Sequence, residues 1–238
     1  MGGNRSVFTF KEFSLAHGNP GLKISTEACI LGAWAHKFAK GKILDIGTGC
    51  GLMACMLAQF NPDANIDAIE IHQEVASLAL ENIKSSPFNN QIQVINSDIR
   101  SLSTNNRYDF IISNPPFFSN HLPATLKDKQ IAIHDDELNF VDLIISIKNL
   151  LKPGGKFAVI YPKEVMDKFE KELGKNGLFV HQFLYIFSNP GAKLLRVICL
   201  GSTNKDEIAI ENLYIKDEKN EYTEAFKLLL NPYYLIFE

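Results

Sequence analysis

From about residue 25 onwards, short runs of β-branched and aromatic residues alternate with stretches whose apolar positions recur at helical spacing. Runs at 42–46, 66–71, 92–97, 108–113, 155–161, 183–187 and 195–200 have strand length and predict seven strands. Helical spacing over 26–38, 51–60, 74–85, 137–151 and 164–175 predicts helices between most of them, the first capped by Thr26. Strands joined by helix-length crossovers pair in parallel and are covered on both faces. Only seven residues separate Phe187 from Leu195, centred on Asn189-Pro190-Gly191, which predicts a hairpin. The expected architecture is α/β: a doubly wound, mixed, seven-stranded sheet with helices on both faces. Such sheets bind ligands beyond the carboxyl ends of their strands, where the strand order reverses. Residues that immediately follow a strand are therefore the candidates for chemistry.

Composition narrows the picture. A chain of 238 residues, 46% hydrophobic, has the length for one large domain. Seventeen Phe, seven Tyr and one Trp exclude a disordered or fibrous chain. No apolar run approaches the roughly 18 residues of a membrane span, and the first five residues lack a signal peptide's apolar core, so a cytoplasmic location is expected. Cys29, Cys50, Cys55 and Cys199 show no metal-ligand or disulfide spacing and read as reduced packing thiols; no metal is expected. The net charge of −3 hides a gradient, because residues 1–44 hold six basic and two acidic side chains. Arg5, Lys11, Lys23, Lys37, Lys40 and Lys42 are thus collective candidates to meet a polyanion, with Lys127 and Lys129 as further ones. Trp34, at helical spacing with Ile30, Leu31 and Phe38, reads as core.

Asp45-Ile46-Gly47-Thr48-Gly49-Cys50-Gly51 falls where the first of these strands meets the next helix, a place where glycines let a ligand approach backbone N–H groups. The spacing is neither the dinucleotide fingerprint nor a P-loop. Glu70, 19 residues past Gly51, ends the following strand and can accept from both hydroxyls of a ribose; Asp98 ends the strand after it. Three carboxylates on neighbouring strand ends repel a pyrophosphate but suit a ligand bearing a sulfonium and an ammonium, which points to S-adenosylmethionine (SAM).

The strand 108–113 runs into Asn114-Pro115-Pro116-Phe117. Two prolines remove two backbone donors and leave carbonyl oxygens and the Asn114 amide facing the cleft. That set accepts both hydrogens of a planar amino group, and Phe117 can stack on the ring that carries it. Little acid-base chemistry is needed if nitrogen, methyl carbon and sulfur are held in line.

Together these motifs resemble the class I SAM-dependent methyltransferases with an Asn-Pro-Pro-aromatic motif. More closely, the chain is similar to bacterial tRNA1(Val) (adenine-37-N6) methyltransferases, through Phe8-Thr9-Phe10-Lys11, the stretch from Lys23 to Trp34, the glycine loop, Glu81-Asn82-Ile83 with Ser86-Pro87-Phe88, and the stretch from Asp109 to Phe118. The resemblance implies a Rossmann-like fold in one methyltransferase domain over 1–238, with a cofactor-capping segment at 1–41, a catalytic core at 42–203 and a C-terminal appendage at 204–238. It implies that Asp45, Gly47, Gly49 and Gly51 hold the methionine part of SAM, Glu70 the ribose and Asp98 the adenine. Thr26 would close over the cofactor, and Asn114, Pro115, Pro116 and Phe117 would hold the target base. The implied partner is a tRNA, and a monomer is expected. Methylation of a protein glutamine, of guanine N2 in RNA or of adenine N6 in DNA are the enzymatic alternatives. A SAM-binding regulatory module without chemistry is the alternative of another class.

Overall fold

The computed structural model describes residues 6–17, 23–102, 104–115 and 138–237. Its centre is an eight-stranded sheet, ordered β10-β8-β9-β7-β6-β3-β4-β5. Strands β3 (Lys42–Ile46), β4 (Asn65–Glu70), β5 (Ile92–Asn96), β6 (Tyr108–Ser113) and β7 (Leu151–Tyr161) run parallel, joined by crossover connections. β8 (Phe179–Phe187) and β9 (Leu194–Ser202) form the expected hairpin, with β9 inserted antiparallel between β7 and β8.

Two departures concern the ends of the chain. The sheet has an eighth strand, β10 (Ala209–Tyr214), which pairs in parallel with β8, so residues of the expected appendage complete the central sheet. The amino-terminal segment folds as a separate antiparallel hairpin, β1 (Ser6–Thr9) with β2 (Ser14–His17). Its Phe10 and Phe13 stack at 4.6 Å, and Phe13 meets Phe88 edge-on at 5.8 Å.

Helices cover both faces. On one lie α1 (Thr26–Ala35), α2 (Leu52–Phe60), α3 (Gln73–Lys84) and, from the C-terminal segment, α6 (Glu224–Leu230); on the other lie α4 (Phe140–Leu150) and α5 (Lys163–Lys175). α1 is apolar on every side and correspondingly buried from Ala28 to Ala35. Its cap is Ser25 rather than Thr26: the Ser25 backbone is extended and its Oγ accepts from the Ala28 N–H at 3.2 Å. Trp34 is core, as expected, and its Nε1 donates to Glu211 on β10 at 3.2 Å. The four cysteines are buried, and burial pushes the Cys50 thiol up to about 11 and the other three to about 12, which makes them inert packing groups. Among the described residues no helix is long and apolar enough to cross a membrane.

Candidate active site at the carboxyl ends of the strands

The strand order reverses at β3, which has β6 on one side and β4 on the other. A cavity of about 540 Å³ opens there, within the size range of small-molecule and cofactor sites. Its wall includes Gly47, Thr48, Gly49 and Cys50 from the loop after β3, Glu70 and His72 after β4, Asp98 and Arg100 after β5, Asn114 and Pro115 after β6, and Lys23 and Ile24 before α1. The expected Gly47, Gly49, Glu70, Asp98, Asn114 and Pro115 therefore meet in one cavity, although they come from four strands. Pro116 and Phe117 lie outside the described residues, as do Arg5, Lys127 and Lys129.

The glycine loop has φ of 72°, 59° and 89° at Gly47, Gly49 and Gly51, a left-handed path that side chains disfavour. A Cβ on Gly47 or Gly49 would meet nothing within 4 Å, and both line the cavity, so both face its open space. Gly51 differs: its Cβ would lie 3.2 Å from Ile83 Cδ1, and it packs on α3 rather than on the cavity.

Glu70 is 7% exposed, and its two carboxylate oxygens accept from the Gly49 and His72 N–H groups, each at 3.1 Å. A carboxylate offers about four lone-pair sites, so acceptors remain for two hydroxyls. Among the described residues no cation pairs with Glu70. Asp98 is more committed. It caps a 3-10 turn (Ile99–Ser101), accepts the Arg100 N–H at 2.8 Å and grips the Arg100 guanidinium at 2.7 to 3.0 Å. That guanidinium holds the Asp98 carboxyl below the usual range.

Three expected contacts do not reach the wall: Thr26 is exposed in the first turn of α1, Gly51 faces α3, and Asp45 lies fully buried behind the glycine loop. Asp45 accepts the Thr48 hydroxyl at 2.6 Å through Oδ2, while Oδ1 has no hydrogen-bond partner. Through this bond Asp45 orients Thr48, which is on the wall. Burial pushes the Asp45 carboxyl from its ordinary 3.8 up to about 7, outweighing the Thr48 hydrogen bond. The native state thus keeps a proton that the unfolded chain releases, so the stability this group confers falls as pH rises from about 4 to about 7 and is level above. Asp45→Asn is expected to flatten that slope: the melting temperature of the variant relative to the parent protein should rise between pH 5 and pH 8. Thermal melts across that range test this, and parallel curves would show that Asp45 carries no buried proton.

Strand direction also sorts the basic residues of the amino-terminal segment. Lys40 and Lys42 stand at the start of β3, about 13 Å from its carboxyl end. Lys37 follows α1, which starts at the cavity and runs away from it. Lys11, in the hairpin turn, bonds Asn231 at 2.8 Å. Of the described members of this group, Lys23 alone lines the cavity.

Sequence reasoning missed Arg100 and His72 on the wall. It also missed Ser113, whose Oγ donates to the Ile46 carbonyl at 2.8 Å and pins the end of β6 beside β3. Asn114 follows at once, where Pro115 cannot supply the N–H that a continued strand needs.

Comparison with known proteins identifies the family and the fold. Residues 26–175 match the methyltransferase small domain family. The tRNA1(Val) (adenine(37)-N6)-methyltransferase of Bacteroides fragilis is 35% identical over 98% of this chain and 99% of its own length. That of Dyadobacter fermentans is 36% identical over 97% and 98%. Among solved structures, a predicted O-methyltransferase of Agrobacterium tumefaciens superposes with a TM-score of 0.67 at 18% identity, covering 86% of this chain and 95% of that one. A glycopeptide N-methyltransferase solved with SAM gives 0.54 at 13% identity, covering 73% and 94%. At those identities the structures share the class I methyltransferase fold, and the sequence relatives set the family. The chain belongs to the methyltransferase small domain family and, within it, to the bacterial tRNA1(Val) (adenine(37)-N6)-methyltransferases.

Proposed function

We propose that this enzyme methylates N6 of an adenine in tRNA, at position 37 of tRNA1(Val), with SAM as the methyl donor. The observation that carries the proposal is that Asn114 and Pro115 open onto the same cavity as the glycine loop and Glu70. A base gripped by the first pair lies beside a donor seated on the second group.

Glu70 supports the choice of donor, because a carboxylate on the wall, with no cation paired to it among the described residues, favours a cationic ligand with ribose hydroxyls over a pyrophosphate. Gly47 and Gly49 leave the space for its methionine part. When bound, SAM supplies a methyl group on a positively charged sulfur. The chain's own residues then have a positioning task. The Asn114 Oδ1 and the Pro115 carbonyl accept the hydrogens of the exocyclic amine, which favours a pyramidal nitrogen with its lone pair directed at the methyl. Asp98, whose charge Arg100 offsets, would hold the adenine amino group of the donor. The amine's proton leaves to water after transfer. An unpaired loop base is cheaper to extrude than a paired one, which suits an anticodon-loop target. Lys23 on the cavity wall offers the RNA phosphates a countercharge.

The test is incubation with methyl-labelled SAM and tRNA from a strain lacking the gene, followed by nucleoside mass spectrometry and fragment mapping. N6-methyladenosine in one anticodon-stem-loop fragment is the expected product, with a rate that falls steeply with salt. Label confined to DNA, to guanosine or to protein glutamine would replace the substrate. Binding without incorporation into any of them would make the chain a regulatory module.

A further inference from the structure

Asn82, on α3, is 5% exposed and has a full set of unusually distant partners. Its Oδ1 accepts the Ala16 N–H at 2.8 Å, and its Nδ2 donates to the Ala16 carbonyl and to the Cys50 carbonyl, both at 2.9 Å. One amide thereby holds both backbone groups of a residue in β2 and one carbonyl of the glycine loop, 66 and 32 residues away. Cys50 lines the cavity and Ala16 does not. The next residue of α3, Ile83, is the group against which Gly51 packs. Two consecutive side chains of α3 thus back the glycine loop, and one of them also seats the hairpin. Lys23 and Ile24, six and seven residues beyond the end of β2, are themselves on the cavity wall. The hairpin and the loop are therefore joined to the cavity from two sides, and Asn82 is where they meet.

We infer that Asn82 is a positioning residue that locks the amino-terminal hairpin to the glycine loop, so that affinity for the cofactor depends on this amide. The inference rests on the SAM reading above, and the first arm of the test separates the two: calorimetry of the parent protein with SAM. Absence of binding there overturns the cofactor, whereas the lock is judged only on a protein that binds.

In Asn82→Ala the SAM dissociation constant is expected to rise tenfold or more, with kcat at saturating SAM within about threefold of the parent. The control is Phe169→Leu, a fully buried residue on the opposite face of the sheet that touches neither loop nor hairpin. It should lower the melting temperature comparably and leave SAM affinity within twofold. An unchanged dissociation constant in Asn82→Ala overturns the lock. So does a change in both variants in proportion to their lost stability, which marks a merely structural role. Should Asn82→Ala fail to fold, amide exchange on the parent protein decides. SAM should slow exchange at the Ala16 N–H as well as in the glycine loop, and slowing confined to the loop overturns the coupling.

Discussion

Asn114→Ala is expected to lower kcat by about 10² or more while leaving the SAM dissociation constant within a few-fold, the pattern of a group whose contact matters in the transition state. The structure makes this a clean experiment. Ser113 fixes the end of β6 through its bond to the Ile46 carbonyl, so the backbone at 114 is set by its neighbours. Among the described residues nothing hydrogen-bonds to the Asn114 amide, so truncation leaves none of them unpaired and should cost little stability. The cavity wall from Gly47 to Glu70, proposed above to hold SAM, is built on other strands and is untouched. What disappears is an acceptor for the exocyclic amine and, with it, the orientation of the nitrogen. Single-turnover kinetics with tRNA, together with calorimetry for SAM, separate the two quantities. Parental turnover would remove Asn114 from the mechanism. A tenfold loss of SAM affinity would place it on the donor instead.

How much of this was legible without coordinates follows from which elements speak for themselves. The strands β3, β4, β6 and the second half of β7 were readable because their largely apolar runs are buried on both faces, and the residues just past their ends inherit a known direction; β5, at the sheet edge, is buried only at Ile92 and was legible through its β-branched residues. β10 was not readable: four of its six positions are exposed, so the sequence Ala209-Ile210-Glu211-Asn212 offers no buried face to recognise. β1 and β2 are four residues each, too short for period to show. At the first helix, Ser25 and Thr26 are both competent caps, and only backbone geometry decides between them. Within the site, the motif Asp-x-Gly-x-Gly-x-Gly identifies a loop but not which of its members face inward. The alternation along β3 turns Asp45 towards α2, beneath the loop, and Gly51 is spent on packing against Ile83. For a related reason the basic count of the amino-terminal segment could not say which of its members stand at the cavity, because charge counted along a chain says nothing about which end of a strand it occupies. Asn82 was invisible as chemistry, since its partners are brought to it by the fold alone.

Glu70→Ala is expected to weaken SAM binding by about 10² or more, from two charge-assisted hydrogen bonds to ribose hydroxyls worth roughly 1.5–3 kcal/mol each. The carboxylate is placed for this, almost fully buried yet on the cavity wall, with each oxygen using one acceptor site on a backbone N–H and keeping others. Its loss also frees the Gly49 and His72 N–H groups, but both can turn to water in an open cavity. The discriminating measurement is the same titration with S-adenosylhomocysteine, which shares the ribose and lacks the positive sulfur. If Glu70 acts through the hydroxyls, the two ligands lose affinity by the same factor, because neither hydroxyl senses the charge on sulfur. If it acts instead as a countercharge, SAM loses clearly more than its demethylated product, and the ribose assignment falls.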